Sequence, residues 1–245
     1  YDDSTDFQYI LNNSKFAKFL LLDQYGFSQI DNNVFNKLVN SPKTDFIFFI
    51  ATSFITRFKE HDNVKKYIDT NKIEFDSTKP HECHRIIANY YQSLIPADKE
   101  YYLHHFTIEN GANRYGLIFG TAHTLGMEKF LKVCWKYDNL AGEANMNIDG
   151  NHKPGELFYV AGNSNKKDAV KKEIKEMVLS GRIADNITGF KYALKQKCMP
   201  NVLSEVIKEL ESKNKVRRIG AKSYTSTDIH KIKVGSKDYY KIELL

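Results

Sequence analysis

The residues best placed for chemistry are Asp23-Gln24-Tyr25-Gly26. They close an apolar run, Phe16 to Asp23, with the composition of a parallel strand buried on both faces. Ligands of open parallel sheets bind beyond the carboxyl ends of strands, so a carboxylate followed by an aromatic ring there is well placed to meet a substrate. A carboxylate accepts hydrogen bonds from an amine, and an aromatic ring stacks on a planar base. Asp23, Tyr25 and Gly26 are therefore the candidate catalytic residues. The competing role for Asp23 is structural, because an Asp at a strand end commonly caps a helix or forms a turn.

Other groups are weaker candidates. His81-Glu82-Cys83-His84 holds side chains that bind zinc, but so dense a set without a second pair lacks the spacing of a structural zinc site. A polar helix start explains it better, and no metal site is expected. His104 and His105 are consecutive on an expected strand, point to opposite faces and form no paired site within it. His123 follows a strand end and is a candidate base facing the crevice beside Asp23. Cys83, Cys134 and Cys198 form no C-x-x-C pair and are odd in number, which points to free thiols in a reducing compartment.

These groups sit in a chain of 245 residues, 42% hydrophobic and 27% charged, a globular mix that excludes a disordered tail or a collagen-like repeat. The most apolar stretch, Phe46 to Ile55, is broken by Thr52 and Ser53 and is far short of a membrane span. The polar, acidic start without Met reads as a soluble, cytoplasmic chain cut from something longer.

Up to Tyr137 the pattern alternates strand and helix. A helix through Val34, Phe35, Leu38 and Val39 precedes a second strand, Phe46 to Ala51. A helix from Glu82 to Ile95 stops at Pro96, and two strands, Tyr101 to Ile108 and Tyr115 to Thr121, flank Asn110-Gly111, a strong hairpin signal. A helix from Leu125 to Tyr137 closes this part. Residues 138–157 are rich in Gly, Asn and Asp and read as a linker or surface loop, dividing an α/β domain over 1–137 from a domain over 158–245. The latter reads as three helices, Lys166 to Leu179, Asn186 to Lys197 and one opened by Pro200, followed by strands Val216 to Gly220 and Ile232 to Ile242. That is the outline of a winged helix-turn-helix.

The net charge of +6 is divided unevenly. Phe158 to Leu245 holds 19 Lys+Arg against 10 Asp+Glu, and the remainder 17 against 20. A solvated Lys-rich surface is one account of this; a polyanion surface, DNA or RNA, is the other. Its candidates are Arg217, Arg218, Lys222, Lys231 and Lys233 in the wing, with Tyr224 nearby, and Lys191, Lys195 and Lys197 on the second helix. Glu205, Glu209 and Glu211 make the third helix a poor reader of a major groove.

Two parallel strands with crossover helices and a terminal hairpin match the second half of the class I methyltransferase, or Rossmann-like, sheet, whose strand order is 3-2-1-4-5-7-6. Nothing upstream of Phe16 is long enough for the first half, which holds the glycine-rich loop for S-adenosylmethionine. The segments Phe19 to Gly26, Tyr115 to Lys129 and Trp135 to Asp138 resemble the three-Cys-motif partner proteins, a bacterial family with such a domain and a C-terminal winged helix. The family usually has Asp-Pro-Phe-Gly or Asp-Pro-Tyr-Gly where this chain has Gln24, and Pro would fix one backbone angle there.

The resemblance implies an N-terminally incomplete methyltransferase-like protein that uses S-adenosylmethionine and acts on or near nucleic acid, with Asp23 orienting a base amine and Tyr25 stacking. The absent cofactor half and Gln24 count against catalysis by these residues alone. The alternative is a non-catalytic nucleic-acid-binding or adaptor module partnering a radical-SAM-like three-Cys protein.

Overall fold

The computed structural model describes residues 5–23, 31–51, 82–148, 165–224 and 227–245. Among them the fold is α/β: seven helices, a mixed four-stranded sheet with one parallel pair, and a C-terminal two-stranded antiparallel hairpin. The chain packs as two compact units, Tyr1–Gly126 with Glu143–Ile148, and Met127–Gly142 with Asp149–Leu245. None of the described helices is long and apolar enough to cross a membrane.

The first unit runs α1 (Thr5–Asn12), β1 (Lys18–Leu22), α2 (Asn32–Asn40), β2 (Thr44–Ala51), α3 (Cys83–Ser93), β3 (Tyr102–Asn110) and β4 (Asn113–Thr121). The sheet order is β1-β2-β4-β3. β1 and β2 are parallel, and β4 runs antiparallel between β2 and β3. The β3–β4 turn places Gly111 at φ 60°, a conformation glycine takes without a Cβ penalty and one that suits the first position of a two-residue hairpin loop.

Local chemistry explains the helices over the sheet. Asp31 caps α2 by accepting from Val34 N at 2.8 Å, and Phe35, Leu38 and Val39 then fall on one buried face. α3 buries Ile87, Ala88, Tyr90 and Tyr91. The Tyr91 ring meets both α2 and β2, lying 4.6 Å from Phe35 and 5.3 Å from Phe48, centroid to centroid. On this face β4 carries no side chain at Gly116 or Gly120. A Cβ at Gly120 would come within 2.3 Å of the Phe46 ring, and one at Gly116 within 2.3 Å of the His84 ring.

One expectation from sequence is corrected. β1 is not buried on both faces: Lys18, Leu20 and Leu22 are half-buried, whereas Phe19 and Leu21, on the other face, are 64% and 71% exposed. Of the two readings of 138–157, residues 143–145 fit the surface loop: Thr107 N donates to Glu143 O and Asn145 N to Thr107 O, a short parallel bridge along β3.

The second unit takes most of α4 (Thr124–Tyr137) and then α5 (Lys166–Leu179), α6 (Asn186–Lys195), α7 (Asn201–Ser212), β5 (Val216–Gly220), a 3-10 turn (Ile229–Lys231) and β6 (Tyr240–Leu244). Much of the strand expected over 232–242 is turns, with Gly235 at φ 82° and Ser236 N and Tyr239 N bonded to carbonyls three residues back. Asp185 bridges Lys241, and Ile242 N donates to Ala184 O, so the segment between α5 and α6 lies against β6 as a third edge.

Gly120→Ala should lower the urea midpoint by the equivalent of about 1–3 kcal/mol at unchanged m, because the buried Phe46 ring has nowhere to move. Gly111→Ala, in open space, should cost only the left-handed strain, about 1 kcal/mol. Equal, small losses at both sites would show that Phe46 is not locked over β4.

Candidate functional site

Asp23 follows the last residue of β1 and is exposed. Tyr25 and Gly26 lie outside the described residues, as does His81. The register shows what lies beside Asp23. Leu22 pairs with Phe48, so Asp23 comes level with Phe49, whose ring stacks on Tyr115 of β4 at 5.2 Å and 29°. Side chains alternate along a strand, which puts Asp23 on the face of Phe49 rather than that of Phe48. At the same end of the sheet Arg114 and Glu109 pair at 2.8 Å across the β3–β4 hairpin. A carboxylate beside an aromatic pair can accept from a planar amine and offer a surface to stack on. The aromatic pair escaped sequence reasoning because Phe49 and Tyr115 become neighbours only once β4 enters the sheet between β2 and β3.

His123 does not share this crevice. Thr121, at the end of β4, pairs with Asp45 near the amino ends of β1 and β2. His123 is therefore at the opposite end of the sheet, about 13 Å of strand from Asp23. Its role there is local: Nδ1 accepts from Leu125 N at 3.2 Å at the start of α4, and its own N–H donates to Thr121 Oγ1. Thr121 in turn donates to Asp45 at 2.5 Å.

Three further histidines among the described residues are interior. His84, His104 and His105 are each no more than 1% exposed. His84 Nδ1 and Thr107 Oγ1 lie 3.0 Å apart, and Glu143 accepts from Arg85 Nε at 2.7 Å with His105 Nε2 at 3.5 Å. Burial first, then the neighbouring His105 and Arg114, lowers the His84 pKa from 6.5 to about 3. Burial also pushes the Cys83 thiol up to about 12, the reverse of what a thiolate ligand needs. Among the described residues no three His, Cys, Asp or Glu side chains group as a metal site.

In the second unit the glutamates of α7 are engaged by basic side chains. Glu205 pairs with Lys167 at 2.8 Å and Lys171 at 2.6 Å, and Glu209 with Lys175 and Lys213, both at 2.6 Å. Arg218 is a clamp: its Nε meets Glu211 at 2.9 Å, its Nη1 reaches the Ala221, Lys222 and Ser223 carbonyls, and its guanidinium lies 3.6 Å from the Tyr224 ring centroid. Tyr224 hydroxyl donates to Glu211. Arg217, on the other face of β5, is 63% exposed at its side chain and pairs with Glu243 at 2.8 Å. Lys195, Lys222 and Lys233 are exposed, Lys231 is exposed beside Asp228 at 3.2 Å, and Lys191 and Lys197 are half-buried. The loop after β5 is tied down, since buried Glu128 accepts from Asp228 N at 3.1 Å and Ile229 N at 3.4 Å.

Compared with models of known families, with curated proteins and with solved structures, the chain matches none.

His84 is neutral in the fold down to about pH 3 but titrates near 6.5 when unfolded, so between those values the unfolded chain binds more protons. Its contribution is full above pH 6.5 and is lost as pH falls toward 3, by up to about 1.4 kcal/mol per unit. His84→Asn should flatten that acid limb in urea midpoints measured between about pH 7 and about pH 4. An unchanged slope would remove His84 as its source.

Arg218→Lys should destabilise the second unit by about 2–3 kcal/mol, because an ammonium does not reproduce the fork and the ring stacking. Arg217→Lys should stay within about 0.5 kcal/mol. Thermal unfolding of both checks this, and equal shifts would refute the clamp.

Proposed function

We propose that the first unit is the C-terminal half of a class I methyltransferase-like sheet, that the second is a winged-helix module, and that the protein works on nucleic acid with a base amine as acceptor. One observation carries the reading: the order β1-β2-β4-β3, with one parallel pair and β4 inserted antiparallel, is the order 4-5-7-6 of that sheet. In that alignment Asp23 follows the strand at which amino-directed enzymes keep their amine acceptor, and Phe49, whose ring stacks on Tyr115, lies level with it. The edge formed by Ala184 and Asp185 against β6 supports the winged-helix half, since three helices with a three-membered sheet are its parts.

Asp23 then holds the amine through its carboxylate, and Tyr25 stacks on the base. The methyl donor is held by other segments, because strands 3-2-1 and their glycine loop have no counterpart among the described residues. The resemblance to three-Cys-motif partner proteins fits the same two-part organisation. Phosphate contacts fall to Lys191, Lys195, Lys197, Arg217, Lys222, Lys231 and Lys233. Arg218 is left out because it holds the hairpin.

A second reading, a non-catalytic adaptor that partners a radical-SAM-like three-Cys protein, is favoured by β1. Among the described residues β1 has a strand neighbour on one side only, and that edge with the exposed Phe19 and Leu21 suits a strand supplied by another protein as well as one from the same polypeptide.

Calorimetric titration of S-adenosylmethionine into this chain and into the full polypeptide of its reading frame separates the two. The first reading expects binding by the full polypeptide at micromolar ligand and little by this chain, with Asp23→Ala abolishing methyl transfer to oligonucleotides without weakening cofactor binding. No binding by the full polypeptide even at millimolar ligand would leave the adaptor.

A further inference from the structure

The outer face of α4 was not among the surfaces expected from sequence, and its residues are sorted by chemistry. Lys129, Lys132, Val133, Lys136 and Tyr137 are all exposed, Val133 by 55% and Tyr137 by 68%. At 3.6 residues per turn the three lysines fall within about 60° of arc, and Val133 and Tyr137 continue over about the next 80°. One flank of the helix is thus cationic over about 10 Å of its length, and the adjoining flank is apolar and aromatic.

The carboxylates near this face are already engaged. Glu128 turns inward to the Asp228 and Ile229 amides, and Asp138 Oδ1 accepts from Leu140 N and Ala141 N at 3.0 and 3.1 Å. Asp228, which feels Lys129, bonds Lys231. Lys132 and Lys136 make no ion pair among the described residues. Trp135 Nε1 donates to Lys197 O at 3.2 Å, which holds the second half of α4 against the end of α6.

We propose that this face of α4 binds a single strand of nucleic acid, with phosphates along Lys129, Lys132 and Lys136 and a base stacked on Tyr137. A duplex presents phosphates without free base faces, so it would leave the Val133–Tyr137 flank unused. A single strand presents phosphates on one side and base faces on the other, which is the division seen here. The proposal rests on the nucleic-acid part of the reading above and is independent of methyl transfer.

The test is fluorescence anisotropy with labelled oligo-dT and oligo-U, as single strands and as duplexes with their complements, over a salt series. The parent chain should prefer single strands. Lys132→Gln/Lys136→Gln should bind about tenfold more weakly near 0.1 M salt and lower the log–log salt slope by about 1.4. Tyr137→Ala should lose about tenfold at unchanged slope, and Tyr137→Phe should retain parental affinity. All of these side chains are exposed, so unchanged thermal midpoints should accompany the losses. A parent that binds while the lysine pair variant is indistinguishable from it overturns the α4 face but leaves the nucleic-acid reading. A preference for duplex also overturns it. A parent that binds no oligonucleotide at low salt overturns both.

Discussion

Two bare positions on β4 control the architecture of the first unit. Gly116 and Gly120 lie on one face of the strand, four residues apart, and the His84 and Phe46 rings occupy the space their side chains would take. Phe46 belongs to β2 and His84 to α3, so β4 is the surface on which a neighbouring strand and the covering helix are both seated. A larger residue at either site would lift a fully buried ring, and the aromatic contacts beyond it, among Phe35, Phe48 and Tyr91, would follow. Close packing at this density transmits a displacement rather than absorbing it. The same constraint makes His84 an interior residue, and its low pKa is a consequence of that seat rather than a sign of catalysis.

In the second unit the governing fact is which charges are left over. The lysines of α5 face Glu205 and Glu209 of α7 at matching four-residue spacing, and Glu211 is taken by Arg218 and Tyr224. Half-exposed pairs of this kind contribute about 0–1 kcal/mol each, so they are a weak source of stability. Their larger effect is on the surface field. They cancel both signs between α5 and α7 and leave the positive excess on α6, the hairpin loop and α4. Because the loop after β5 is tied to Glu128, that part of the excess is carried by a fastened segment.

The pattern of elements was legible in the sequence, for identifiable reasons. Buried aromatic and β-branched runs, the Asn110-Gly111 turn and Pro200 mark local preferences, and these survive packing. α5 and β5 have the ends expected from the apolar period and Gly181. What was not legible depended on neighbours. Phe19 and Leu21 look buried in a run of apolar residues, and only the packing of the sheet leaves their face of β1 exposed. Residues 143–145 carry no strand signal and are ordered by the β3 backbone. Arg217 and Arg218 look equivalent in sequence, yet alternation along β5 sends one to solvent and the other onto Tyr224.

The candidate site shows the same limit most clearly. Asp23 could be singled out alone, because a carboxylate that ends an apolar run is a local feature. Its companions could not, because they are chosen by the register of a strand nearly a hundred residues away. Inserting β4 antiparallel has two effects at once. It carries Tyr115 to the carboxyl end of β1 and β2 and removes His123 to the amino end. Had the hairpin been arranged so that β3 paired with β2, the direction of both strands would place Thr121 and Tyr115 one strand farther out, and Phe49 would lose its stacking partner. An aromatic surface level with Asp23 is therefore a product of the order β1-β2-β4-β3, so the same topology that supports the methyltransferase-like reading also supplies the surface on which a base would rest.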